Sequence, residues 1–427
     1  MKRNRWLPLL ASLVMLVSVF GTLPVMAEEK ITLTFWHIWP SDQMGQIVDD
    51  YVAIYEAEHP NVTIESIATQ EFEYQQTKLR IAASNKSQGD IFMSWGGGYA
   101  ETYVDAGAVL PLDDYLTANN VYDELLDGSL TYGTYGDKVY GLPLKQWVGV
   151  LYCNHEMFEQ YGAKLPDTFE ELLDAVKIFV DNGVTPMALG AKDGWHIGMY
   201  QNALAVRTAG ADYMNDALAG KVTLDTPEIV KSAQLLVELN EAGAFPRGTL
   251  GLGSEESQEE FLMGLIPMYY CGSWVASGVD NEDNAIKGKI TPLPMPSVDG
   301  QKGDKTEFSG GVIDFMMVNS ATKYPQQAFD FALGITKYMS QESYIIGDSL
   351  PAWKLEGIDD SNVSPTLIAI NDLLQTSTGY VLAWDTFLKG AAIDTHYQLL
   401  QGLIAGTITP QEFATQMQAA NEASLAQ

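Results

Sequence analysis

Apolar residues in the first third of the chain switch repeatedly between a two-residue repeat and a three-to-four-residue repeat. Ile31-Thr32-Leu33-Thr34-Phe35-Trp36 alternates as a strand does. Met44, Ile47, Val48, Tyr51, Ile54 and Tyr55 then keep helical spacing behind Ser41 or Asp42 as a cap, and His59-Pro60 ends the run. Positions 62–67 alternate again, 72–84 return to helical spacing, and Asp90-Ile91-Phe92-Met93 is a short apolar strand running into Trp95-Gly96-Gly97-Gly98. This βαβαβ order predicts a parallel sheet with right-handed crossovers. The middle third repeats the logic. A strand is expected at 148–152, and Thr168-Phe169-Glu170-Glu171 forms a capping box. The helix it opens turns Leu172, Leu173, Val176, Phe179 and Val180 inward and closes at Gly183. Thr226-Pro227-Glu228 starts a helix ending near Gly243, 259–264 is helical, and 266–271 returns to strand. Pro292, Pro294 and Pro296 mark a crossing between domains, and the last hundred residues are mainly helical, most clearly at 325–339, 365–374 and 410–420. At about 150 residues per domain, 427 residues suggest two or three domains, and two α/β lobes joined by several chain crossings fit the element pattern best.

Residues 1–27 read as an export signal. Met1-Lys2-Arg3-Asn4-Arg5 is basic, 7–20 is an apolar run, Gly21 and Pro24 break it, and Val25-Met26-Ala27 is a small-residue cleavage site. The 14 apolar residues fall short of the ~20 a spanning helix needs. Cleavage after Ala27 leaves Glu28 as the first mature residue. No cysteine follows that site, so a periplasmic protein without a lipid anchor is expected.

Charge narrows the partners. Against 55 Asp+Glu stand 24 Lys+Arg, a net charge of −31, so neither nucleic acid nor an anionic lipid surface meets the basic face it needs. An oxidising compartment permits a disulfide between Cys153 and Cys271, and two buried free thiols are an equal alternative. Their spacing is no zinc signature, and His37, His59, His155, His196 and His396 show no H-x-x-x-H pattern, so no metal is expected. Gly96-Gly97-Gly98 follows a strand without completing G-x-G-x-x-G, and no cation stands beside it. No cofactor is expected.

The tryptophans carry more. Trp36 and Trp39 follow the first strand, Trp95 precedes the three glycines, and Trp274 follows Cys271-Gly272-Ser273. Ligands of open α/β sheets bind at such carboxyl ends of strands. Any one tryptophan alone reads as core filling, but several at strand ends read as an aromatic-lined cleft. An indole face stacks on the C–H face of a sugar ring while polar groups bond its hydroxyls.

At these residues the sequence resembles the family 1 extracellular solute-binding proteins, the maltose-binding-protein-like carbohydrate receptors of bacterial ABC importers. The marks are Thr34-Phe35-Trp36-His37, Gly89-Asp90-Ile91-Phe92, Ala106-Gly107-Ala108-Val109-Leu110-Pro111-Leu112, Tyr140-Gly141-Leu142-Pro143 and Leu151-Tyr152-Cys153-Asn154. Pro166-Asp167-Thr168-Phe169-Glu170-Glu171-Leu172, Phe261-Leu262-Met263-Gly264, Gly272-Ser273-Trp274 and the 325–331 segment follow in order. The resemblance covers essentially the whole mature chain. It implies the two-lobed α/β periplasmic-binding fold of type II, each lobe a mainly parallel sheet flanked by helices. The lobes expected are 28–146 with 297–345 and 147–296 with 346–427. It implies sugar contacts from His37, Trp39 and Asp42 after the first strand, from Trp95 and Gly97, from Trp147, and from Trp274. Lys192-Asp193-Gly194-Trp195-His196 resembles a segment of small-oligosaccharide receptors and adds Trp195 and His196. Gly310 and Gly311 are expected to give backbone contacts, and Trp384 with Asp385 a late aromatic-acid pair. Cys153 departs from the usual tyrosine. The expected protein is a monomeric receptor, not an enzyme, that takes a neutral di- or oligosaccharide and delivers it to permease subunits in the membrane. A glycoside hydrolase needs two carboxylates roughly 5–10 Å apart across one bond, and no local pattern singles such a pair out. A receptor for glycerol phosphate would want cations in the cleft, for which only Lys145 and Lys192 are near; a polyol or sugar acid is the remaining alternative.

Overall fold

β1 (Ile31–His37) buries every second side chain, Ile31, Leu33, Phe35 and His37, as its sequence alternation requires. It pairs in parallel with β2 (Val62–Ala68) along its whole length and with β3 (Ile91–Trp95) at Phe35 and Trp36. The helix Gln43–Glu58 connects β1 to β2, and a helical stretch over 71–84 connects β2 to β3. That second stretch is not uniform. Tyr74–Lys78 winds as a π-turn, and the buried Tyr74 hydroxyl donates to the Met93 carbonyl at 2.7 Å. With β1 between β2 and β3, the chain reverses its direction of travel across the sheet at β1. Crevices open at the carboxyl ends of strands at such a point. This is a computed structural model that describes residues 30–40, 43–126, 128–355, 357–359, 361 and 363–426. The expected leader and the expected contact Asp42 lie outside the described residues.

β4 (Thr134–Tyr135) and β5 (Lys138–Val139) form a small hairpin ahead of β6 (Gly141–Asn154). At about 3.3 Å per residue, the 14 residues of β6 reach across the whole molecule. β7 (Met187–Ala188), β8 (Met268–Gly272), β9 (Ile290–Leu293), β10 (Glu307–Val318), β11 (Leu350–Pro351) and β12 (Gly379–Val381) complete the set. The main order is β2-β1-β3-β10-β6-β8-β7. The first half of β6 pairs with β10, from Gly141↔Met317 to Val148↔Gly310, and its second half pairs with β8 and β9. β10 likewise serves both sides, with β3 along 314–318 and β12 along 307–309. The α/β class is as expected, with one correction to its pairing. The sheet is mixed, not mainly parallel, because β6 and β10 run antiparallel through its middle while β1·β2, β1·β3 and β7·β8 keep parallel pairings at the two ends.

The capping box at Thr168 forms, and the helix Phe169–Asp181 buries Phe169, Leu172, Ala175, Val176 and Phe179. Leu173 is half-buried, and Val180 is 41% exposed. The helix Trp195–Ala209 is buried on nearly every side, so its polar residues need internal partners. Arg207 finds three carbonyls, donating through Nε to Met295 at 2.8 Å and through Nη1 to Asp304 at 2.8 Å and Glu307 at 2.7 Å. The chain that carries β9 over to β10 is thereby pinned. Cys271 lies opposite Val150, and Cys153 opposite Met268. Val150 and Cys153 are an odd number of residues apart on β6, so the two thiols face opposite sides of the sheet. Both are free and buried, which settles the open question against a disulfide. Burial pushes the Cys271 thiol up to about 12. Among the described residues no helix is long and apolar enough to cross a membrane.

Candidate functional site

Three tryptophans from three parts of the chain meet where β6 leaves β10 for β8. Trp147 on β6 and Trp274 after β8 stand edge to face, with ring centroids 5.4 Å apart at 69°. Trp195, at the start of its helix, lies 6.3 Å from Trp274. Trp147 is buried, while Trp195 and Trp274 are half-buried and keep part of their faces accessible. The local sequence enforces the position of Trp274. A Cβ on Gly272 would fall 1.9 Å from Cζ3 of the Trp274 ring, so only glycine lets that indole fold back over β8. Gly310 and Gly311 run opposite Val148 and Trp147 on β10. A Cβ on Gly310 would stand 2.4 Å from the Trp147 carbonyl oxygen, and Gly311 takes φ +141 against Leu382.

His196 stands beside this cluster, its ring 5.3 Å from Trp195. Its Nδ1 accepts the Gly190 N–H at 3.0 Å, so the proton sits on Nε2. Burial lowers its pKa to about 4, keeping the ring neutral. Near the first strand, the buried His37 ring stacks between Phe35 at 4.9 Å and Trp39 at 5.9 Å. His37 Nδ1 accepts the Trp39 N–H at 3.3 Å, and its Nε2–H faces Ser66 Oγ at 2.9 Å. Burial, then the nearby Lys78, lowers its pKa to about 4. His37 therefore positions Trp39. Lys145 Nζ lies 6.0 Å from the Trp39 ring centroid. Lys145 and Trp147 are two apart on β6 and face the same side of the sheet. Trp147, Trp274 and Trp195 thus form one aromatic cluster, and Lys145, two residues from Trp147, is its link toward Trp39. Trp95 joins the same cross-strand row through Asp314, which pairs with Trp95 on one side and Lys145 on the other.

The remaining expected residues lie elsewhere. Gly97, at φ +62, packs its Cα against the Thr386 carbonyl, where a Cβ would come within 2.2 Å, and its own carbonyl accepts from Tyr135. Trp384 is fully buried, stacked on His396 at 5.6 Å, with its backbone N–H donating to Asn202 Oδ1 at 2.7 Å. Asp385 Oδ2 accepts from the Tyr397 hydroxyl at 2.5 Å, and that hydroxyl meets Tyr99 Oη at 3.2 Å. Neither residue touches the Trp147–Trp274–Trp195 group.

Sequence reasoning missed the charged floor. Lys145 Nζ is 2.6 Å from Asp348 Oδ2 in a buried ion pair, with Asp314 opposite. Burial pushes the Asp314 carboxyl up to about 6, Lys145 opposing and Asp348 adding. Glu71 is solvent-accessible yet walled in. Desolvation pushes it up to about 7, Asp314, Glu255 and Asp193 adding and Lys145 opposing. The Glu71 carboxyl thus lies within electrostatic range of Asp314, Lys145, Glu255 and Asp193. Residue type alone gives no signal for this, since no local spacing links 71, 193, 255, 314 and 348. Among the described residues no group of His, Cys, Asp and Glu could hold a metal ion.

Residues 40–341 match the model of the bacterial extracellular solute-binding proteins. The chain belongs to that family. A putative ABC transporter periplasmic-binding protein of Escherichia coli (strain K12) is 22% identical over 68% of this chain and 69% of its own length. The multiple sugar-binding protein of Streptococcus mutans serotype c is 24% identical over 57% of this chain and 58% of its own. Among solved structures, one from work on xylan utilization by the thermophilic bacterium Caldanaerobius polysaccharolyticus superposes with a TM-score of 0.88. It is 40% identical and covers 91% of this chain and 99% of that one. A chitin oligosaccharide binding protein superposes at 0.84 with 24% identity over 93% of this chain and 99% of its own. This solute-binding protein accordingly has the two-lobed α/β fold of its family and is not an enzyme.

Proposed function

We infer that this solute-binding protein is the extracytoplasmic receptor of a bacterial ABC importer and captures a neutral di- or oligosaccharide between its lobes. The observation that carries the reading is the cluster of three indoles, Trp147, Trp274 and Trp195, brought together from three parts of the chain, with Lys145 linking it toward Trp39. A sugar lying on that cluster stacks on Trp274 and Trp195 and offers hydroxyls to Glu71 and Asp193. At ~1 kcal/mol per stack, the two stacks supply part of the roughly −8 kcal/mol of a micromolar complex and hydroxyl hydrogen bonds supply the rest. The lobes are 28–146 with 297–345 and 147–296 with 346–427, and a ligand that contacts both stabilises the closed arrangement. The closed form docks on the permease. The protein works as a monomer in the periplasm after loss of residues 1–27.

Lys145 is engaged by Asp348, and the other charges converging on the crevice are carboxylates, which favours an uncharged ligand over a sugar acid or phosphate. The 40% identical neighbour from xylan-utilization work makes xylo-oligosaccharides the first to try, and chito-oligosaccharides the second. Titration of residues 28–427 by calorimetry with xylotriose and chitotriose tests the reading. Saturable one-to-one binding of an intact sugar is expected. Heat from neither sugar, nor from maltotriose or raffinose, would contradict it.

A further inference from the structure

Three stretches of chain pass between the two strand groups, and each brings one charged side chain to the same buried spot. β6 carries Lys145 just before it changes partners from β10 to β8. β10 carries Asp314 directly across from Lys145, at a point where the pairing register shifts on both sides of the aspartate. The third stretch, 346–351, leaves the helix Pro325–Ile345, carries Asp348, and lays β11 on β6 at Gln146 and Lys145. Lys145 is 7% exposed, Asp348 8% and Asp314 9%, and the Lys145–Asp348 contact is 2.6 Å. Glycines accompany each stretch: Gly149 on β6, Gly310 and Gly311 on β10, and Gly347 at φ +84 beside Asp348. Close backbone packing, which only glycine allows at these positions, and buried charge are thus concentrated in one layer at the waist of the molecule.

We propose that Lys145, Asp348 and Asp314 form a clasp across the three crossing strands that sets how far the lobes of this receptor open. The inference rests on the two-lobed capture reading above. In a buried layer an ion pair is held strictly by geometry, because separating its members leaves each charge without compensation. Any rotation of one lobe that shears β10 or β11 along β6 must stretch Lys145–Asp348 or pass the lysine to Asp314. One cation serving two carboxylates gives two such arrangements, so the clasp permits movement between them and resists movement beyond them. Lys145 also reaches the Trp39 ring, which couples the waist to the aromatic surface.

The test is the inter-lobe distance, read by electron–electron double resonance between spin labels on Glu58→Cys and Glu238→Cys, both exposed positions; buried Cys153 and Cys271 stay in place. Two variants are compared with the parent, first without ligand and then with xylotriose. Asp314→Asn removes the second carboxylate facing the lysine, and a narrower ligand-free distribution is expected. The triple variant Lys145→Met, Asp314→Asn and Asp348→Leu replaces the charges by groups of similar size, and a broader distribution is expected. An unchanged distribution in a variant with parental circular dichroism overturns the clasp. If the triple variant does not fold, Asp314→Asn decides alone. The ligand-free measurement tests the clasp independently of sugar. A ligand-free response without any xylotriose effect would count against xylotriose as ligand and leave the clasp standing.

Discussion

Neither ring nitrogen of His396 meets a hydrogen-bond partner among the described residues, and burial lowers its pKa to about 3. The ring is held by stacking on Trp384 and by its neighbour Tyr397. Unfolded, the same imidazole takes up a proton below about 6.5. Between those two values the unfolded chain binds more protons than the native one, so this residue makes stability fall as pH drops from 6.5 toward 3. His396→Phe keeps a ring against Trp384 and removes two unpartnered polar atoms. A gain of about 1–3 kcal/mol at neutral pH is expected, with a shallower loss between pH 6.5 and 4, read by urea unfolding across that range. Equal slopes for variant and parent would place the acid sensitivity elsewhere. Trp274, in the aromatic cluster, stacks against two indoles while keeping an accessible face. Trp274→Ala is expected to weaken sugar binding at least ~10-fold, about 1.4 kcal/mol, with little change in unfolding midpoint. Parental affinity would remove Trp274 from the site.

Gly272 shows how an element sets a side chain. It ends β8 with ordinary extended backbone, so its need for glycine comes from the indole lying over it. Gly272→Ala therefore pushes Trp274 off Trp147, and a loss of sugar affinity comparable to that of Trp274→Ala is expected in a folded protein. Calorimetry beside a thermal melt separates the two effects; unchanged affinity would mean the ring finds another way to the ligand. Elements with one wet face were legible in the sequence: β1, β2, the helix Gln43–Glu58 and the capped helix Phe169–Asp181 lie where periodicity put them. The helix Trp195–Ala209 was not, because burial on all sides erases the polar face that marks helical spacing. β6 was legible only over its apolar 148–152, since its earlier half holds Pro143, Lys145 and Gln146, whose burial depends on β10 and β11. Tryptophans at strand ends were legible as candidates, but chemistry alone could not separate Trp274 from Trp384. Both come shortly after a strand, and only tertiary packing leaves one with an accessible face and closes the other into the core. The Lys145–Asp348–Asp314 floor was invisible for the same reason, its members being up to 203 residues apart in the chain.

At the scale of the molecule, two strand groups share β6 and β10, and the proposed aromatic site is built on β6 and the elements beside it. A sugar that binds the folded, closed protein, as proposed, has no counterpart site in the unfolded chain. Mass action then raises stability by about 2.7 kcal/mol at a hundredfold excess over the dissociation constant. The most direct measurement is thermal unfolding of residues 28–427 against a panel of mono-, di- and oligosaccharides, with the sugars recovered and analysed afterwards. A rise in midpoint with at least one neutral oligosaccharide, recovered intact, is the predicted result. A midpoint that moves with none of them, or a sugar recovered cleaved, would contradict the account.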